Sequence, residues 1–366
     1  MKVLALSSYP IETASTRYRV AQFVKPLSEQ GIILTILPFF DSQLQASIYK
    51  RAEWPRTALR IARATLRRVR EVWRAHEADV LFVQREAMIF GPPVLEWLAV
   101  RVLRRPMVLD LDDATYVPYT SPTYGRLGKA LKWTGKTDKL IRWASVVTCG
   151  NRNIAEYVSS KGATARIIPT VVNTEVFRPV PKLQNRQPVL GWIGTHSTFP
   201  YLQSIFPVLQ HLAATHRFKL KIVGAGVEEV KVLGLEVENL KWKLEREVED
   251  FQSIDVGLYP VNPEFYAENW AGGKSGFKAI QYMAVGIPYV ASPVGAIEDI
   301  GEHGITYFQA RTDEEWLDAL GKLLSDSKLR STMGAAGRSH VVKHYCLSEQ
   351  TKKLAVVLRE AMQMGT

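Results

Sequence analysis

A chain of 366 residues with 46% hydrophobic composition suggests roughly two domains at the usual ~150 residues each, with apolar material for two cores. No run of eighteen apolar residues exists and the opening MKVLALSSYP shows no cleavage pattern, which argues against a membrane span and a secretory signal. Cys149 and Cys346 make no disulfide framework and no metal spacing, as suits a reducing cytoplasm; the abnormal figure is the net charge of +11.

In chain order, strand-length apolar runs alternate with helical patterns: KVLAL, the helix STRYRVAQFVKPLSEQG, IILTILPFF, an arginine-rich helix, DVLFVQ, a Trp/Leu helix at 94–103, MVLDLDD and ASVVTCG. Such alternation means βαβ units and a parallel sheet covered by helices. Residues 165–183, rich in Pro, Val and polar side chains, lack a helical period and read as a linker. The pattern then restarts with PVLGWIG, a helix at 199–214, LKIVGAG, LEVENLKWK, IDVGLYPV, a glycine-rich segment, YVASP and C-terminal helices. The expected division is therefore 1–170, 171–345 and a C-terminal helix, 346–366, packing back on the first domain. Ligands of such folds bind at the carboxyl edges of the sheets.

The glycine-rich segment GGKSGFKAIQYMAVGIPYVASPVG, residues 272–295, points to an anion. Gly272, Gly273 and Gly276 free the backbone to approach a ligand, and Lys274 and Lys278 supply charge. Phe277, Ile280, Met283 and Ala284 recur at helical spacing, which puts the loop at a helix N-terminus. The bland alternative is a solvated glycine turn with two surface lysines.

The second half resembles the nucleotide-sugar-binding domain of the retaining glycosyltransferase family 4, which has the GT-B fold. The resemblance rests on IIPTVVNTEVFRP, LGWIGTHSTFPYL, LKIVGAG, VEDFQSIDVGLYPV, GKSGFKAIQYMAVGIPYVASPVGAIEDI and MGAAGRSHVVKHY, which cover most of residues 165–345; residues 1–164 match more loosely. It implies an α/β GT-B fold, with two Rossmann-like domains facing each other across a cleft. It also implies transfer of a sugar, with retained anomeric configuration, from a nucleotide-diphosphate sugar to a glycan or lipid-linked acceptor in cell-surface glycan or glycoconjugate biosynthesis. No metal or other cofactor is expected to be required.

Two departures from the family pattern bear on the site. Its two donor-contacting glutamates fall on Gly273 and Gln281; Gln281 still offers an amide to a ribose hydroxyl, whereas Gly273 offers only backbone. The diphosphate-clamping arginine and lysine are absent from the stretch Gly194 to Thr198, so Lys274 and Lys278 are expected to replace them, with Lys274 counted as catalytic. Gly194, His196, Gly276 and Glu298 complete the expected donor site. A non-catalytic nucleotide-sugar-binding or regulatory protein on the same scaffold is the alternative.

At the end of MVLDLDD, the resemblance implies that Asp112 or Asp113 binds the acceptor hydroxyl or transferred sugar. The competing readings are metal binding by an Asp-x-Asp pattern and simple capping of a following helix. Arg17, like Arg19, is a candidate for holding a phosphate or the acceptor. A nicotinamide dehydrogenase is disfavoured because KVLALSSYP is not followed by Gly-x-Gly-x-x-Gly.

Residues 50–76 hold nine Lys/Arg against Glu53 and Glu71, so this segment is +7 and the rest of the chain +4. Within RTALRIARATLRRVREVWRA, Leu59, Ala62, Leu66, Val69 and Trp73 step by three and four, and Arg56, Arg60, Arg63, Arg67, Arg70 and Arg74 run beside them. That pattern reads as a helix, 56–74, lying on an anionic membrane surface at the cytoplasmic leaflet. A solvated cationic face over a core contact is the ordinary alternative. Nucleic acid is not expected as a partner, because no aromatic-interleaved recognition module accompanies the arginines.

Overall fold

The structure, a computed structural model, describes residues 1–48, 54–117, 132–133, 135–182, 187–261, 273 and 275–364. Two units are present: Met1–Thr170 together with Leu347–Thr366, and Val171–Cys346. Among the described residues no helix is long and apolar enough to cross a membrane.

The first unit is built on a parallel sheet of β1 (Lys2–Ser7), β2 (Ile33–Pro38), β3 (Val80–Gln84), β4 (Met107–Leu111), β5 (Val146–Cys149) and β6 (Ala165–Ile167), in the order β2-β1-β3-β4-β5-β6. β3 and β4 are buried at every position, as strands covered by helices on both faces must be. The chain runs outward from β1 to β2, then returns past β1 to β3 and on to β6, so its direction reverses between β1 and β3. The helix Leu347–Met364 buries Leu354, Val357, Leu358 and Ala361 and packs on β3, β4, β5 and the helix Val24–Ser28.

In the second unit β7 (Val189–Ile193), β8 (Lys219–Val223), β9 (Glu236–Leu240), β10 (Val256–Tyr259), β11 (Tyr289–Ala291) and β12 (Phe308–Gln309) form a second parallel sheet, ordered β12-β11-β10-β7-β8-β9. Its reversal lies between β10 and β7, and such a reversal opens a crevice beyond the carboxyl ends of the strands. Trp192, Leu202, Leu209, Ile222 and Leu320 lie in its core.

Three expected helices are broken, two of them at proline. The stretch 15–31 forms Ala14–Arg19, a 3-10 turn Ala21–Phe23 and Val24–Ser28. Pro26, inside a continuous helix, would clash with the carbonyl four residues back. The stretch 199–214 splits at Ile205 into Phe199–Ser204 and Phe206–Ala213, with Pro207 in the first turn of the second. The Trp/Leu helix is a single turn, Val94–Trp97, continued by the π-helical turn Leu98–Val102.

The helix Ser327–His344 crosses Phe277–Ala284 closely enough that a Cβ on Gly334 would lie 2.1 Å from the Gly286 carbonyl oxygen. Because that obstacle is backbone, Gly334→Ala should cost about 2 kcal/mol or more. Calorimetry should show a melting temperature lower by roughly 4–8 °C; an unchanged transition would mean that the two helices do not pack this way.

Candidate functional site

In the first unit the carboxyl edge of the sheet is organised by two arginine–aspartate pairs. Arg19, in the helix after β1, donates through Nε to Asp110 Oδ2 at 3.0 Å, through Nη2 to Asp110 Oδ1, and through Nη1 to the Ile168 carbonyl at 2.5 Å. Thr148 Oγ1 donates to Asp110 Oδ1 at 2.6 Å. Burial alone would lower the Arg19 guanidinium, but Asp110 outweighs it and holds the cation above its ordinary range. Arg17 folds elsewhere: Nη1 donates to the Glu12 carbonyl at 2.8 Å and the guanidinium stands 4.6 Å over the Tyr18 ring.

Arg85, which follows β3, forms the second pair. Its Nε reaches Asp112 Oδ1 at 2.6 Å and its Nη2 reaches Asp112 Oδ2 at 2.9 Å, while Asp113 Oδ2 lies 3.9 Å away. The Arg85 backbone is left-handed, with φ of 62°, a conformation that costs a non-glycine residue about 1 kcal/mol or more. Burial pushes the Asp112 carboxyl up, but the fork of Arg85 outweighs it and holds the pKa below the usual carboxylate range. Asp113 Oδ1 accepts from the Ala114 N–H at 3.0 Å, and the segment after it forms a turn rather than a helix. The Asp112 side chain is 10% exposed and that of Asp113 25%, so Asp113 is the more reachable carboxylate.

The loop after β3 is held from inside. Lys136 Nζ pairs with Glu86 Oε2 at 2.7 Å and donates to the Met88 carbonyl at 2.7 Å, and Glu96 Oε1 accepts from the Ala87 N–H at 2.8 Å. Burial raises both carboxyls, Glu86 and Glu96, above the ordinary range. Beyond the ends of β1 and β2, a pocket of about 320 Å³ is lined by Pro10, Glu12, Phe40, Asp41, Arg67 and Glu71 among others.

The second unit gathers most of its candidates beyond β7, β8 and β10. Gly224 has φ of +84°, and a Cβ there would lie 2.4 Å from the Gly194 carbonyl oxygen, so the loops after β7 and β8 are pressed together. His196 stands exposed beside Gly226 in the same contact. Gly276 caps the helix Phe277–Ala284 in the left-handed region, with φ of 63°, and the space a Cβ would fill is taken by Ile300. Tyr282 fastens that helix to the switch point: its hydroxyl donates to the Gly191 carbonyl at 3.1 Å and the Leu258 carbonyl at 3.2 Å.

Side chains on this helix differ from the simple expectation of an exposed cationic loop. Lys278 is half-buried, its Nζ 3.1 Å from Gln281 Oε1 and 5.1 Å above the Phe251 ring. Gln281 is fully buried and its Nε2 has no hydrogen-bond partner among the described residues. Gly273 is buried, whereas Lys274 and Gly272 lie outside the described residues. Glu298 sits on the exposed side of the short helix Ile297–Ile300 and pairs with Arg311 at 3.5 Å.

Sequence reasoning did not single out Arg85, Lys136, Glu86 or Gly224. For Arg85 and Glu86 the available signal was their position, a charged pair directly after the buried run VLFVQ, where a parallel strand delivers the chain to the ligand-binding edge.

Residues 187–326 match the model of a family described as Glycosyl transferases group 1. Over 174 aligned residues the chain is 28% identical to D-inositol 3-phosphate glycosyltransferase of Corynebacterium jeikeium (strain K411); the alignment covers 43% of this chain and 40% of that protein. The chain thus spans less than half the length of the curated relative it matches. Among solved structures, the Anabaena protein HepE in complex with UDP-glucose superposes with a TM-score of 0.67 at 16% identity, covering 98% of this chain and 99% of the other. Sucrose-phosphate synthase from Thermosynechococcus elongatus gives 0.67 at 15% identity, with 99% of each chain covered. The fold is GT-B, and the family match lies within the second unit.

The Arg85–Asp112 pair predicts a pH signature. Because Asp112 is depressed in the folded protein, its stabilising contribution is present above the unfolded carboxylate pKa of about 3.9 and is lost as pH falls through the folded value. Arg85→Gln leaves a buried carboxylate without its cation, which should cost roughly 2 kcal/mol near neutrality, less than for a fully enclosed pair since Arg85 is 21% exposed. The deficit in melting temperature against the parent should be larger at pH 7 than at pH 4. An equal deficit at both would show that the pair does not set the charge of Asp112.

Proposed function

We propose that the chain is a glycosyltransferase that moves a sugar from a nucleotide-diphosphate sugar to a glycan or lipid-linked acceptor, with retention of configuration, in cell-surface glycan or glycoconjugate biosynthesis. The observation that carries this reading is the match of residues 187–326 to the glycosyl transferase model, a region in which the loops after β7 and β8 press together at Gly194 and Gly224. HepE is described in complex with UDP and UDP-glucose, so uridine diphosphate sugars are the first donors to test.

Breaking the sugar–phosphate bond places negative charge on the diphosphate, and fixed cations there stabilise the transition state more than the ground state. Lys278 and Lys274 take that role, Lys278 exchanging the Gln281 amide oxygen for a phosphate oxygen when donor binds. Gly194, His196, Gly273 and Gly276 shape the donor loops. Gln281 and Glu298 are the side chains assigned to donor hydroxyls. The leaving phosphate takes the acceptor proton, so no strong base is needed. Asp113, as the more exposed carboxylate, meets the acceptor hydroxyl or transferred sugar; Asp112 and Arg85 position it, and the pocket beside Arg67 receives the acceptor. The chain works in the cytoplasm, peripherally on a membrane that it touches through the helix 56–74.

Kinetics and donor binding test the reading. Lys278→Ala should lose a charge-assisted contact worth about 1.5–3 kcal/mol, lowering kcat/KM for the donor by about tenfold or more. Unchanged kinetics in a folded Lys274→Ala/Lys278→Ala double variant would remove the phosphate assignment. Asp113→Asn should cut turnover while UDP binding persists and EDTA has no effect; inhibition by EDTA reversed by manganese would favour a metal at the aspartates instead. Binding of nucleotide sugars without any turnover would favour a regulatory protein on the same scaffold.

A further inference from the structure

At about 100° per residue, the helix Trp54–Trp73 divides into three sectors. Thr57, Ala64, Arg68 and Val72 are buried, so this sector packs on the unit. Arg68 is wholly enclosed, donating from Nη2 to the Ser7 carbonyl at 3.0 Å, and burial lowers its guanidinium to about 10. The apolar stripe read from the sequence is a different sector and faces outward: Leu59 is 54% exposed, Leu66 63% and Trp73 58%. Arginines fill the third sector. Arg67 is spent on the Pro38 and Phe39 carbonyls and Glu71, and Arg74 on Glu77. Arg56, Arg60, Arg63 and Arg70 have no hydrogen bond or ion pair among the described residues.

A second element repeats the pattern. Along Val94–Trp97 and the turn Leu98–Val102, the residues Leu95, Glu96 and Ala99 are buried, whereas Val94, Trp97 and Val102 are exposed, Trp97 by 45%. Arg101 and Arg104 are exposed beside them. This element packs against the basic helix, and Val72, Ala75, Leu95 and Ala99 share one core cluster. Both segments are crossovers that run in the same direction along the sheet, β2 to β3 and β3 to β4, and right-handed crossovers of that sense lie on one face.

We propose that these two helices together form a docking face for an anionic lipid bilayer. The inference rests on the peripheral placement given under Proposed function and extends it from one helix to a bipartite surface. Single exposed apolar side chains are ordinary, but an aligned stripe is not. A soluble acidic partner or a nucleic acid would satisfy the arginines and leave the leucines and tryptophans wet. A bilayer accounts for both: tryptophan rings sit at the headgroup level, aliphatic side chains enter the acyl boundary, and arginines draw anionic headgroups.

The test is sedimentation of the full chain with vesicles of phosphatidylcholine alone or with phosphatidylglycerol. The parent should pellet with the anionic vesicles, less so at high salt. Arg56, Arg60, Arg63 and Arg70 changed together to Gln should lower partitioning by about a hundredfold, and Trp97→Ser with Val102→Ser by about tenfold, with parent-like melting curves in both. Parent-like binding by the Trp97/Val102 variant would overturn the bipartite face while leaving a single-helix contact standing. Parent binding that ignores lipid charge, or retention on duplex DNA with no retention on vesicles, would overturn membrane docking altogether.

Discussion

The buried contact between Arg19 and Asp110 ties four segments of the first unit at one point: the helix after β1, the end of β4, Thr148 in β5 and the chain leaving β6 at Ile168. Removing two charges from water costs several kcal/mol per ion. That cost is offset here because the carboxylate receives both guanidinium donors and a hydroxyl, while the remaining guanidinium nitrogen finds a carbonyl. The neighbouring Arg85–Asp112 pair is built on the frame this contact fixes, since Asp112 lies two residues beyond Asp110 and the Arg85 N–H donates to the Asp110 carbonyl at 2.8 Å. The acidic edge of the first sheet is thus a consequence of one enclosed ion pair.

The second unit reaches a comparable edge by other means. Its candidate loops are placed by close approach, Gly224 against the Gly194 backbone and Gly276 against the Ile300 side chain, and charge comes from Lys278 in the helix that follows. The two edges are therefore built differently, one on an enclosed ion pair and one on close backbone approach.

Much of this was legible because strand burial and crossover alternation are local patterns. VLFVQ and MVLDL announce buried parallel strands by composition, and the spacing of Phe277, Ile280, Met283 and Ala284 announces the helix Phe277–Ala284. What stayed illegible depends on partners far away in sequence. Periodicity shows that Leu59, Leu66 and Trp73 share a face of their helix, but not that Thr57, Ala64 and Val72 take the core side, since the larger apolar set would ordinarily be chosen. Nothing local tells that Arg68 is enclosed or that Arg85 adopts a left-handed backbone. Spacing placed Lys278 in the first turn of its helix, yet its side chain reaches Gln281 on the same helix and lies over Phe251 on another element.

The covering of the first sheet by Leu347–Met364 has a consequence for how the polypeptide is made. Domains generally fold as units during synthesis, N-terminal first, at about 5–20 residues per second. Here the first sheet must wait while the 176 residues from Val171 to Cys346 are translated, a delay on the order of ten to thirty-five seconds. Throughout that interval the apolar face later met by Leu354, Val357, Leu358 and Ala361 lies open on the nascent chain. The second unit, contiguous in sequence, can finish first. The growing polypeptide therefore passes through a stage with one completed lobe and one half-clad sheet, a natural client for holding chaperones at the ribosome exit.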